Sequence, residues 1–137
     1  MGTYQSKFTG AEIDGLLEQV QTGGAKKVTL WEGELGTENA SVTLSDSIKN
    51  YDFIWIGSQI KDKNGTAGAQ TTMLLDADSD KGNDNGGYNF YNSAGTSHWY
   101  RIGCKFTDNT TLLLTKATVS STSWVDPHIY KVIGIKY

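Results

Sequence analysis

His98-Trp99-Tyr100-Arg101-Ile102-Gly103-Cys104-Lys105-Phe106 alternates apolar and polar side chains. A period of two places Tyr100, Ile102, Cys104 and Phe106 on one face of a strand and Arg101 and Lys105 on the other. Asp108-Asn109 is turn chemistry and sends the chain back through Thr111 to Val119. Working outward, Val28 to Glu32, Ser41 to Ile48, Tyr51 to Ile60, Thr71 to Ala77 and Tyr88 to Tyr91 read as further strands, and His128 to Tyr137 as the last. Tyr51 to Ile60 is apolar on both faces, which predicts a central strand covered on both sides. Lys49-Asn50 reads as the tight turn of a hairpin joining it to Ser41 to Ile48. Ile129, Ile133 and Ile135 predict that the closing strand is paired and tied down. Seven or eight such strands predict an all-β fold, an antiparallel β-sandwich or jelly roll.

One segment breaks this period. Phe8-Thr9-Gly10-Ala11-Glu12-Ile13-Asp14-Gly15-Leu16-Leu17-Glu18-Gln19-Val20 reads as a short N-terminal α-helix. Thr9 is placed to cap it and Glu12 to reach back to the Thr9 amide, with Phe8 and Ile13 at the staple positions. Ile13, Leu16, Leu17 and Val20 form one apolar stripe. Gly10 and Gly15 weaken the helix, and one this short needs its stripe buried. The stripe either folds onto the chain's own body or associates with other copies, so these four residues are the candidate oligomerisation contact. Gln21 to Ala25 reads as helix stop and hinge. The expected division is therefore a helix and linker at 1–25 and a β domain at 26–137.

Composition narrows the function. The chain has 137 residues, enough for one self-sufficient core. A net charge of −3 gives no electrostatic case for nucleic acid or an anionic membrane. No signal peptide or membrane-spanning run is visible. The single cysteine, Cys104, excludes an internal disulfide, and its alternation with apolar neighbours predicts a buried core thiol. Sequons at Asn39, Asn64 and Asn109 read as chance products of a Thr/Asn-rich surface.

The candidate ligand-binding residues are aromatic. Rings with polar edges give large rigid contact area to sugars and proteins at low entropic cost. Trp124 follows a Ser/Thr-rich connection, Tyr88 and Tyr91 follow a polar loop, and Trp99 sits opposite Tyr100 and Ile102. Trp31 and Trp55 read as packing residues. Asp76, Asp78 and Asp80 alternate carboxylates as calcium loops do, but Lys81 and Gly87 stand where the EF-hand pattern needs Gly and Glu. The loop reads equally as a solvated acidic tip, and no other cofactor is expected. Asp126-Pro127-His128 brings an acid near a histidine without a Gly-flanked Ser or Cys nucleophile. No catalytic residue is expected.

The segment Tyr4-Gln5-Ser6-Lys7-Phe8-Thr9-Gly10-Ala11-Glu12-Ile13-Asp14-Gly15-Leu16-Leu17 resembles a recurring stretch of bacteriophage and prophage tail-fibre and receptor-binding proteins. Leu30-Trp31-Glu32-Gly33, Val42 to Ile48, Tyr51-Asp52-Phe53-Ile54 and the ending Tyr130-Lys131-Val132-Ile133-Gly134-Ile135-Lys136-Tyr137 are similar to the opening and closing strands of their C-terminal heads. Residues 62 to 98 carry no such likeness. The resemblance implies a homotrimeric β-sandwich head at the fibre tip of a virion. Such a head adheres to a host surface receptor, often a glycan, and is joined to other fibre or baseplate proteins. It implies no defined catalytic or binding residue. Two rival expectations stand beside it: a monomeric carbohydrate-binding β-sandwich module, and a purely structural baseplate or decoration protein.

Overall fold

The computed structural model describes residues 9–21, 24–77, 88–93, 99–120 and 123–137, with the backbone alone at 16–21, 69 and 88–93. Its elements are α1 (Gly10–Gln21), β1 (Lys26–Leu35), β2 (Ser41–Thr43), a 3₁₀ turn (Ile48–Asn50), β3 (Phe53–Asp62), β4 (Ala67–Asp76), β5 (Tyr88–Ser93), β6 (Trp99–Asp108), β7 (Thr111–Val119) and β8 (Trp124–Lys136). They form two four-stranded sheets, ordered β1-β8-β3-β4 and β2-β7-β6-β5. Every strand pairing is antiparallel. The first strand lies beside the last and the second beside the next to last, a jelly-roll-like nesting within an all-β sandwich.

The core lies between the sheets. Tyr100, Ile102, Cys104 and Phe106 of β6 point into it, as their alternation predicts, and meet Ile54, Ile56 and Ile60 of β3 and Ile129 and Val132 of β8. Burial pushes the Cys104 thiol up to about 12, so it stays protonated and inert at neutral pH. β8 sits between β1 and β3, so the closing strand is held on both sides. A register shift between Gly57 and Ser58 breaks the alternation of β8. Ile129 and Val132 therefore face the core, while Ile133 and Ile135 lie opposite Trp55 and Phe53 on the outer face.

Two sequence expectations are corrected. β2 ends at Thr43 rather than Ile48, because the backbone changes partners: the Leu44 amide donates to Thr110 and the Ser45 amide to Leu30. Nor do the segments flanking Lys49-Asn50 form a hairpin. β2 and β3 belong to different sheets, and a 3₁₀ turn carries the chain between them. Asp46 builds that corner: its carboxylate accepts from the Ser47 amide (2.8 Å), Asn50 Nδ2 (2.8 Å) and the Tyr51 hydroxyl (2.9 Å). Tyr51's hydrogen bond, with those of Ser47 and Asn50, holds the Asp46 carboxyl below its usual range.

The expectation that Tyr51 to Ile60 is covered on both sides also fails within one chain. Ile54 and Ile56 are buried, but Trp55 lies half-buried on the outer face, edge-to-face with Tyr130 at 6.1 Å. The helix is capped as expected, with the Glu12 amide donating to Thr9 Oγ1 at 3.2 Å. The Glu12 carboxylate, however, accepts from the Thr9 hydroxyl (3.1 Å) instead of reaching back to the Thr9 amide. Residues Thr9 to Gly15, including Ile13, are exposed, so this part of the helix does not rest on its own sandwich.

Candidate functional site

β1 fixes the long direction of the molecule. It begins at Lys26, shortly after the helix in the chain, and ends at Leu35, and ten extended residues cover about 30 Å. The β3–β4 turn and the starts of β6 and β8 lie at the end where β1 finishes, the distal end. The 3₁₀ turn, the β6–β7 turn and the end of β4 lie at the helix end.

An open polar pocket of about 220 Å³ occupies the distal end, lined by Glu34, Gly36, Thr37, Asp126 and His128. The pairing of β1 with β8 forms it. The pairing register shifts between Glu32 and Leu35, and Leu35 with Ile129 is the last pair. Gly36 crosses close to β8: a Cβ there would lie 3.2 Å from the Pro127 carbonyl oxygen and 3.3 Å from His128 Cβ. Asp126 holds a left-handed φ of 53°, uncommon outside glycine, asparagine and aspartate.

His128 forms the floor and is 1% exposed. Gln70 Nε2 donates to Gln59 Oε1 (3.2 Å), which directs the Gln59 amide nitrogen at His128 Nε2 (3.1 Å). His128 Nε2 is then the acceptor, and Nδ1–H donates to the backbone carbonyl of Asp126. The imidazole thus spends both nitrogens on the wall. The Asp126 acid does not orient it. On the rim, Lys61 pairs with Glu34, and its hydrogen bond holds the Glu34 carboxyl below its usual range. The pocket therefore offers carboxylate acceptors, the Thr37 hydroxyl and a lysine donor at its edge. That set suits a hydroxyl-rich neutral ligand.

Of the residues singled out in the sequence, Trp99 and Trp124 both come to the distal end. Trp99 starts β6 and is 36% exposed, its amide donating to Ser120 Oγ at 2.8 Å. Trp124 starts β8 and is half-buried against the core, its ring lying over Gly68 where a Cβ would be 2.0 Å away. In β5, Tyr88 pairs with Cys104 and Tyr91 with Arg101 through the backbone. Their side chains, and those of Leu16, Leu17 and Val20, lie outside the described residues. Asp76 ends β4 at the helix end, and Asp78 and Asp80 also lie outside the described residues. Among the described residues no three His, Cys, Asp or Glu side chains are grouped to hold a metal ion.

Glu34, Gly36 and Thr37 were not legible as site residues, because only the β1–β8 pairing brings them to Asp126 and His128. Compared with known proteins, the chain matches no family model and no curated protein. No described helix is long and apolar enough to cross a membrane.

Proposed function

We propose that this chain is the non-catalytic head of a phage or prophage tail fibre, which adheres as a homotrimer to a glycan on the host surface. One observation carries the reading: the helix that resembles a fibre junction and the open polar pocket stand at opposite ends of β1. Attachment at one end leaves the other free to meet a surface. The pocket is smaller than the roughly 300–1,000 Å³ of sites for drug-sized ligands and suits about one sugar ring. One such contact is weak, and three on one fibre tip convert it to avidity.

A glycan array probed with the full chain tests this. Binding to bacterial surface oligosaccharides is expected. Asp126→Gly is the informative variant: it removes a pocket carboxylate, while relief of the left-handed backbone offsets the flexibility of glycine. Its stability should stay within about 1 kcal/mol of the parent. Loss of glycan binding in that folded variant supports the pocket, and an unbound array sinks the adhesion reading. The pocket alone is equally compatible with a monomeric carbohydrate-binding module, which differs in remaining monomeric at high concentration.

A further inference from the structure

The outer face of the β1-β8-β3-β4 sheet has an ordered pattern. Directly opposite residues of an antiparallel pair share a face. Because Ile54 and Ile56 point inward, Phe53 and Trp55 point out. The row through Phe53 reads, from β1 to β4, Lys27, Ile135, Phe53, Asp76. The next reads Thr29, Ile133, Trp55, Leu74. These two rows are apolar at the centre, and the first is flanked by Lys27 on one edge and Asp76 on the other, while the row beyond them, Glu32, Lys131, Gly57 and Thr72, is polar. Leu74 is 59% exposed, and Tyr137, 65% exposed, extends the patch edge-to-face from Phe53 at 5.9 Å.

We propose that this face is the contact between copies of this chain, with the β1 side of one copy against the β4 side of the next and the strands running along the common axis. Rotation about an axis parallel to the strands keeps every residue at its height, so each row meets the same row of its neighbour. Lys27 then stands against the partner's Asp76, while the isoleucines, Phe53, Trp55 and Leu74 close around the axis. The charge pair sets register more than strength. Four strands about 4.8 Å apart and ten residues at about 3.4 Å give the whole face roughly 650 Å² in plan, somewhat less than a standard interface. A standard interface takes about 800 Å² per partner.

Position along the chain agrees. The apolar rows lie at the end from which the helix leaves, where Ile13 is also exposed. The edge strand β4 carries no charge from Ala67 to Leu75, so nothing on it repels a neighbouring copy. The contact rests on the sheet face alone, and the number of copies, three, rests on the tail-fibre reading.

Sedimentation velocity of the full chain, with circular dichroism to confirm folding, tests the contact. The parent is expected as a trimer. Leu74→Arg should weaken association at least tenfold, Lys27→Asp and Asp76→Lys should each weaken it, and the double charge swap should restore it. A trimer indifferent to these changes but dispersed by Ile13→Asp overturns the face and leaves the tail-fibre reading standing. A dimer sensitive to Leu74→Arg supports the face and removes the support for three copies. A monomer overturns the contact, and a fall in its melting temperature on Leu74→Arg would put its own helix on the face.

Discussion

Gly134 is the position where the packing makes its sharpest demand. It lies in β8 opposite Ile54, and the Tyr51 ring covers it: a Cβ there would sit 2.6 Å from Tyr51 Cγ and Cδ1 and 2.8 Å from Cδ2. Real Cβ atoms do not approach a ring so closely. The ring is also not free to retreat, because its hydroxyl donates to Asp46 at 2.9 Å and its body packs against the core. Gly134→Ala therefore overpacks a fixed site, at about 1–3 kcal/mol. Alanine's lower strand entropy cost returns about 0.5–1 kcal/mol. A net loss of about 1–2 kcal/mol is expected. With an unfolding entropy of about 2.1 cal/mol/K per residue over 137 residues, that lowers Tm by roughly 3–7 °C. Thermal melts of Gly134→Ala, Tyr51→Ala and the double variant form a cycle. With the ring gone, Gly134→Ala should become neutral or stabilising. An equal loss in both backgrounds would refute the clash as the cause.

Three further outcomes follow from the packing and the charges. Asp46 has its carboxyl held below the ordinary 3.8, chiefly by Tyr51, so its stabilisation is present above that value and is lost as pH falls through the lower folded-state value; acid melts of Asp46→Asn should lack that part of the pH dependence. Cys104, pushed up to about 12 and buried, should resist alkylation at pH 8 until the protein unfolds, and rapid native labelling would contradict its place in the core. Gly68→Ala should displace the Trp124 ring from β4, read as a red shift of tryptophan emission with a stability loss of about 1–3 kcal/mol.

The local elements were largely legible because each is set by local chemistry. The alternation from Tyr100 to Phe106 and the run from Thr111 to Val119 specify strands and their faces whatever lies beside them. What was not legible depends on partners distant in the chain. Val42, Leu44 and Ile48 alternate as a strand would, yet Leu44 and Ile48 are buried through bonds to Thr110 and Asn109. Apolar residues on both faces of β3 signal that something covers each face, and they do not distinguish a second sheet from a second molecule. The pocket has the same character. Asp126-Pro127-His128 stands out as a motif, but its meaning changes once Gln59 and the Asp126 carbonyl take both imidazole nitrogens and β1 brings Glu34 and Thr37 alongside.

The claim that the distal end is the adhesive end is tested most directly by titrating the isotope-labelled full chain with oligosaccharides from bacterial surface polysaccharides and following its amide resonances. The account predicts shifts clustered at Glu34, Gly36, Thr37, Asp126 and His128. Shifts confined to the helix end, around Asn109 and Asp52, or none with any bacterial surface glycan, would contradict it.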